Sequence, residues 1–311
     1  MRNKNLRKAK KEKNDEFYTQ LTDIEKELVH YKEQFKDKII FCNCDDPECS
    51  NFWKYFYLNF EHLGLKKLIA THYEEEKSTY KLEYDGKEKV KTQLKQNGDF
   101  RSPEAVEILK ETDIVVTNPP FSLFREYVTQ LMEYEKQFII MGNNNAITYK
   151  EIFPLLKNNE MWLGYHVNKT MEFMLSPDYD RWDRIDGKGN KYGKVPAITW
   201  FTNLDVKKRH EKLILYKTYT PEKYPKYDNY DAIEVNRVAN IPVDYDGVMG
   251  VPITFLGKYN PEQFEILGSQ RWAKSQELLD VYCGDKIPPE SDKKTTINGK
   301  ETYDRIFIKR K

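Results

Sequence analysis

No apolar run in the 311 residues reaches the length of a membrane span, and no signal-type hydrophobic segment follows the first methionine. Membrane contact is therefore not expected. Cysteine is scarce, with four residues at 42, 44, 49 and 283. That pattern is unlike a disulfide framework for a chain this long, and it points to a reducing, cytoplasmic compartment. The cluster CNCDDPEC lacks a C-x-x-C knuckle and a matching second pair, so no metal site is expected. An excess of charge of one sign is missing as well: 51 Lys and Arg face 50 Asp and Glu, for a net +1. A uniformly basic nucleic-acid coat is thus excluded, and any basic surface must come from local clustering. Internal repeats and long low-complexity segments are absent, which removes solenoids.

What is present reads as a large α/β protein of one large or two smaller domains. Arg2, Lys4, Arg7, Lys8, Lys10, Lys11 and Lys13 make residues 1–14 a basic arm, read either as a solvated tail or as a phosphate-neutralising segment. Glu12, Asp15 and Glu16 arrive too early for a transit peptide. Ile24, Leu28, Tyr31 and Phe35 sit at helical spacing and predict one amphipathic helix over 17–35. Strand-like runs KIIFCNCD, KKLIATHY, DIVVTN, QFIIMGNN, EMWLGYHV and VPAITWFTNL follow. Helical patterns over 50–64, 102–112, 121–136 and 147–158 alternate with them. That alternation predicts a mostly parallel sheet with helices on both faces. Past residue 205 the runs become short and β-like, so the expected division is 15–205 and 206–311.

One stretch carries chemistry. In DIVVTNPPFSLF the buried-looking Ile114-Val115-Val116 stops on Asn118-Pro119-Pro120-Phe121, because two prolines remove two backbone donors and fix two φ angles. The Asn118 side-chain oxygen and the Pro119 carbonyl are two acceptors that can hold one NH2 group and aim its nitrogen outward. Phe121 can lie against a planar ring. Methyl transfer from a sulfonium needs an aligned nucleophile more than acid–base strength, so this arrangement suits alkylation of an exocyclic or amide nitrogen. On four residues alone, a Pro pair that merely ends a strand explains the pattern equally well. Ligands of open α/β sheets bind at the carboxyl ends of strands. NCDD after the first strand and NGDF at 97–100 mark two further places there.

With its neighbours, the stretch resembles the amino-group DNA methyltransferases, most closely the EcoRI-type adenine-specific modification methylases. The resemblance covers nearly the whole chain. It rests on DEFYTQ (15–20), IIFCNCDDPECSNFWKYF (39–56), GDFRSPE (98–104), TNPPFSLFREYV (117–128), AITWFTNL (197–204) and YDGVMGVPITFLGKYNPEQFEILG (245–268). It implies a Rossmann-like sheet that uses S-adenosylmethionine, followed by a smaller C-terminal target-recognition region. Phe17, Tyr18 and Thr19 then match the motif closing over the methionine end of the cofactor. Cys44, Asp45 and Asp46 match its first loop, and Asp99 with Phe100 match its adenine site. Asn118, Pro119, Pro120 and Phe121 match the catalytic motif, with Asn118 also beside the cofactor. Phe121 on one face and Phe201 on the other would stack on the target base, with Trp200 on the opposite side of its strand.

Two departures stand out against that pattern. CNCDDPECSN has no glycine where a glycine-rich turn is usual, and the second strand ends in THYEE. The acidic ribose ligand is therefore displaced, leaving His72, Tyr73 or Glu74. The resemblance also implies double-stranded DNA as partner, with the target adenine flipped out of its stack. It further implies a monomer and a cognate restriction endonuclease acting on the same site. Lys207, Lys208, Arg209, Lys212 and the loop RWDRIDGKGNKYGK (181–194) are candidates for phosphate or groove contact, or simply solvated charge.

Overall fold

The computed structural model describes residues 17–44, 46–74, 79–175, 179–270, 280–283 and 294–311. The basic arm and Asp45 lie outside the described residues. The chain divides into two compact units, Met1–Ala146 with Leu163–Asp205, and Ile147–Trp162 with Val206–Lys311.

The first unit is mixed α/β, built on one large sheet. Its strands are β1 (Phe17–Thr19), β2 (Ile39–Cys42), β3 (Lys67–Thr71), β4 (Tyr80–Tyr84), β5 (Lys89–Gln93), β6 (Ile114–Thr117), β7 (Gln137–Asn143), the two-residue β8 (Trp162–Leu163, of which Leu163 belongs to this unit), β9 (Lys169–Leu175), β10 (Arg184–Ile185) and β11 (Lys191–Thr202). They run in the order β1-β9-β11-β7-β6-β2-β3-β4-β5, with β8 and β10 added on β11. Only β7-β6-β2-β3 pair in parallel, and every other pairing along that order is antiparallel. The expected mostly parallel sheet is thus a four-strand parallel core with antiparallel wings. The wings come from hairpins that sequence patterning hides. Asp85 Oδ1 accepts from the backbone of Lys87 and Glu88, and Gly86 takes φ +90°, so the polar stretch after β3 folds back as β4–β5. The exposed lysines of β5 give it no alternating apolar face to be recognised by.

Helices cover both faces. Trp200 and Phe201 are adjacent on β11, so they point to opposite sides of the sheet. Trp200 meets Phe52 of helix α2 (Asn51–Leu58) edge-on at 6.1 Å, whereas Phe201 meets Phe124 of α5 (Phe124–Glu133) at 5.0 Å. Ser50 caps α2 by accepting from the backbone N–H groups of Phe52 and Trp53, and α3 (Phe60–Leu63) closes on Gly64 at φ +61°. Ser102 caps α4 (Pro103–Glu111), which starts on its proline.

The single helix expected over 17–35 is three elements. Phe17–Thr19 pairs antiparallel with β9, α1 spans Leu21–Leu28, and Val29–Gln34 is a 3-10 turn. Ile24, Leu28, Tyr31 and Phe35 are all buried, so the apolar stripe was sound although the helix was not continuous. Glu27 of α1 is fully buried and accepts four hydrogen bonds. They come from Tyr31 Oη at 2.9 Å, the backbone N–H groups of Tyr165 and His166 at 2.7 and 2.9 Å, and His166 Nδ1 at 2.7 Å. This carboxylate ties α1, and with it β1, to the segment entering β9.

The second unit holds α6 (Phe153–Lys157) and a four-stranded sheet. Its strands are β12 (Ala232–Glu234), β13 (Val248–Val251), β14 (Phe264–Ser269) and β17 (Ile306–Arg310), with a separate β15–β16 ribbon at Thr296–Ile297 and Lys300–Glu301. Tyr227, Tyr230, Ala232, Leu267 and Phe307 form one cluster of its core. Glu234 pairs there with Arg305 and accepts from the Tyr227 hydroxyl, which satisfies a buried charge in place. Arg209, a candidate phosphate contact, donates to Asn159 Oδ1 at 2.8 Å and stacks over Trp162 at 3.9 Å within this unit.

Candidate active site

The parallel core places the marked loops together. From β2 the chain steps to β3 on one side and later to β6 and β7 on the other, so the direction of winding reverses between β2 and β6. A crevice opens at the carboxyl ends of two strands that part in this way. Ile40 pairs with Ile114 and Phe41 with Val115. Continuing that register, Asn43 stands level with Thr117, one residue short of Asn118.

Ile114, Val115, Val116 and Thr117 are fully buried, and regular structure stops at Asn118. Asn118 is 7% exposed, Pro119 is buried, and Pro120 and Phe121 are half-buried. Leu123 N donates to the Pro120 carbonyl at 3.0 Å, closing the turn into α5, which begins at Phe124 rather than at 121.

Behind that loop, Tyr127 of α5 joins two others. Its ring is buried edge-on against Phe100 at 5.0 Å, and its hydroxyl donates to Asn43 Oδ1 at 2.5 Å. Burial pushes this phenol well above its ordinary pKa, so it remains a donor. The Cys44 thiol also donates to Asn43 Oδ1, at 3.5 Å. Asp46 accepts from Tyr80 Oη at 2.7 Å, and its carbonyl accepts from Cys49 and Ser50 at the start of α2. Burial and the hydrogen bond to Asp46 raise the Tyr80 phenol in turn.

The next two loops press on each other. Gly98 has φ +74°, and a Cβ there would lie 1.9 Å from the His72 carbonyl oxygen and 2.6 Å from Thr79 Cγ2. No side chain fits, so the sequence needs glycine to bring the Asp99 loop against the end of β3. His72 is buried, with Nδ1 3.1 Å from the Thr79 hydroxyl and Nε2 3.6 Å from Glu74, while Tyr73 is exposed. Asp99 is held by Arg101, whose Nε meets Oδ1 at 2.8 Å and whose Nη2 meets Oδ2 at 2.6 Å. That guanidinium keeps the Asp99 carboxyl below its usual range. Arg101 also reaches Glu126 at 3.3 Å, and Gln130 Nε2 donates to the Phe100 carbonyl at 3.1 Å.

Strand β1 comes to the same edge. Asn51 Nδ2 donates to the Thr19 carbonyl at 2.7 Å, and the Thr19 hydroxyl donates to Met141 Sδ at 3.4 Å. Tyr18 is half-buried beside it.

Trp200 and Phe201 are neighbours on β11. Both are fully buried. Phe201 is wedged against Phe124 and Gly142, and Trp200 against Phe52 and Gly164, so neither presents a ring face to a ligand in this structure. They point to opposite sides of the sheet, and both pack in the core. Conversely, Asn43, Tyr80, Arg101 and Tyr127 were not singled out from sequence. Asn43 opens the marked NCDD stretch and Arg101 follows the marked NGDF stretch, which is a usable signal; a lone tyrosine on a helix or strand offers none. Among the described residues no group of three His, Cys, Asp or Glu is placed to hold a metal ion.

A model of the adenine-specific methyltransferase EcoRI family matches residues 5–311. The chain belongs to that family. Among curated relatives of this EcoRI-type methyltransferase, the Type II methyltransferase M.EcoRI of Escherichia coli is 48% identical, covering 99% of this chain and 97% of its own length. The Type II methyltransferases M.MgeORF184P of Mycoplasma genitalium and M.MpnI of Mycoplasma pneumoniae are 43% and 41% identical, over 97% and 98% of this chain and 98% and 97% of their own. No solved structure matches the chain. No described helix of this methyltransferase is long and apolar enough to cross a membrane.

Proposed function

We propose that the first unit is a Rossmann-like methyltransferase domain that binds S-adenosylmethionine and methylates the N6 amine of an adenine flipped out of duplex DNA. The observation carrying this reading is the register across the crevice, which sets the NPPF turn beside the Asn43–Asp46 loop. Family membership supplies the adenine-specific transfer.

The donor set fits such a cofactor. Asp99, ionised by Arg101, keeps a lone-pair site on Oδ2 for an amine, and Phe100 gives an apolar wall. Asp46, oriented by Tyr80, is suited to an ammonium or hydroxyl group. Thr19 and Tyr18 on β1, His72 and Tyr73 after β3, and Cys44 complete the proposed lining. When bound, the cofactor supplies an electrophilic methyl on a sulfonium.

The chain's own part is positioning. Asn118 Oδ1 and the Pro119 carbonyl accept the two N–H bonds of the adenine amine and direct its lone pair, while Pro120 fixes the turn. Phe121 backs the base, recovering some of the few kcal/mol that unstacking costs. In this reading the second unit contributes target recognition, the protein acts as a monomer, and a cognate restriction endonuclease cleaves the unmodified site.

The test is transfer of labelled methyl to duplex DNA, followed by digestion to nucleosides. N6-methyl-2′-deoxyadenosine is expected. Methylated cytosine, or label only in RNA or protein glutamine, would change the substrate. Asn118→Ala is expected to abolish transfer while cofactor binding persists; surviving activity refutes the catalytic assignment.

A further inference from the structure

Strand β11 outruns the sheet that holds it. Ile198 pairs with Asn143, the last residue of β7, yet β11 begins at Lys191. Seven residues therefore extend past the carboxyl edge of β7, roughly 20 Å at ~3.3 Å per residue. They are paired on one side with β9 and at the tip with β10, where Arg184 faces Tyr192 and Ile185 faces Lys191. The hairpin Arg181–Lys194 thus projects from the same edge of the same unit as Asn118.

Its tip is pre-formed. Asp186 Oδ1 accepts from the backbone of Lys188 and Asn190 at 2.8 and 2.9 Å, and Oδ2 from Asn190 Nδ2 and Tyr192 Oη at 2.9 and 3.1 Å. Lys194 N donates to Asp183 Oδ2 at 2.6 Å lower down. Within this frame Arg181 through Ile185 are exposed one after another, although alternate residues of a packed strand would be covered. Trp182 is 46% and Ile185 49% exposed. Lys191 Nζ lies 4.5 Å over the Trp182 ring, and Arg184 lies 4.0 Å over Tyr192 while bonding Glu172. Five cations accompany two carboxylates in fourteen residues, in a chain whose overall charge is only +1. A rigid β10–β11 hairpin, flanked by β9 on the β11 side, exposed along β10, cationic and carrying an exposed ring, is complementary to a DNA groove.

We propose that Arg181–Lys194 is a DNA-contacting β-ribbon, with Lys188 and its flanking cations on phosphates and Trp182 with Ile185 against groove edges near the target base. This rests on the methyltransferase reading above and adds to it a contact surface outside the C-terminal unit. The ordering of the tip by Asp186 means that little flexibility is lost on binding.

The experiment uses the full-length protein, a labelled mixed-sequence duplex whose binding is followed by anisotropy at several salt concentrations, and methylation of unmodified genomic DNA. Lys188→Ala should weaken duplex binding and reduce the slope of log K against log salt by about 0.9, one phosphate contact. Trp182→Ala should raise the KM for DNA about tenfold or more, with the kcat at saturating DNA and cofactor binding retained. Trp182→Phe, which keeps a ring, should recover most of that loss and excludes a folding defect as its cause. Wild-type salt slopes and wild-type KM in these variants overturn the ribbon, as does equal weakening toward single-stranded RNA and duplex DNA. A wild-type protein that binds duplex but methylates no DNA sinks the enzymatic reading instead, while the binding slopes still judge the ribbon.

Discussion

Replacing Tyr127 by Phe removes one oxygen atom and should loosen the cofactor crevice without disturbing its walls. The ring stays, so the edge contact with Phe100 and the packing of a fully buried side chain persist. What disappears is the donor to Asn43 Oδ1, an acceptor on a residue only 4% exposed. Leaving a buried acceptor unsatisfied costs about 1–3 kcal/mol. The Cys44 thiol at 3.5 Å remains as a weak donor, which places the loss near the lower half of that range, ~1–2 kcal/mol. Asn43 begins the loop that carries Asp46, so most of this should appear as poorer binding of S-adenosylmethionine. At 1.4 kcal/mol per decade the Kd rises roughly 5- to 30-fold. Calorimetric titration with S-adenosylmethionine measures it directly, and steady-state kinetics should show a raised KM for the cofactor with kcat changed little. A Tyr127→Phe protein that binds the cofactor as tightly as the wild type would refute the reasoning. The hydroxyl would then be only a stabilising contact.

Glu27→Ala leaves the Tyr31 hydroxyl, two backbone N–H groups and His166 without their acceptor. A loss of about 3–5 kcal/mol follows, which in a unit of this size lowers the Tm by roughly 6–20 °C in calorimetry; a shift under ~2 °C refutes it. Arg101→Ala removes the main cause of the lowered Asp99 carboxyl, leaving burial to push it upward. A depressed carboxylate pKa keeps the ionised form as the medium is acidified. The wild type should therefore hold its cofactor affinity to lower pH than the variant, which should begin losing it earlier as the medium is acidified. Parallel Kd profiles that fall together over pH 4–8 would show that Asp99 does not carry the interaction.

The parallel core was legible because each of its strands is a short β-branched or aromatic run bounded by helix signals. Ser102-Pro103 and Gly64 punctuate those signals as capping chemistry requires. The wings were not legible, for a common reason. Strand β5 is exposed along its whole length, and β9 and β11 meet at a bulge between Val195 and Ile198, where Ala197 takes φ +62°. Period-2 patterning needs one wet and one dry face, which β5 lacks, and the bulge shifts the alternation of β11 partway along the strand. The site divides along the same line. Asn118-Pro119-Pro120-Phe121 announces itself through backbone chemistry that is local, and so does Gly98 through the turn it occupies. The hydrogen bond from Tyr127 to Asn43 spans 84 positions and depends on the winding reversal between β2 and β6, which no local pattern encodes. Trp200-Phe201 shows the converse: an aromatic pair at the right distance along the chain from a catalytic motif is also what a central strand uses to hold a helix on each face. Both rings are fully buried here, which the sequence pattern alone does not tell. In the proposed reading the target amine is held by the acceptors of Asn118 and Pro119, which is why Asn118 is the position whose loss should silence the enzyme.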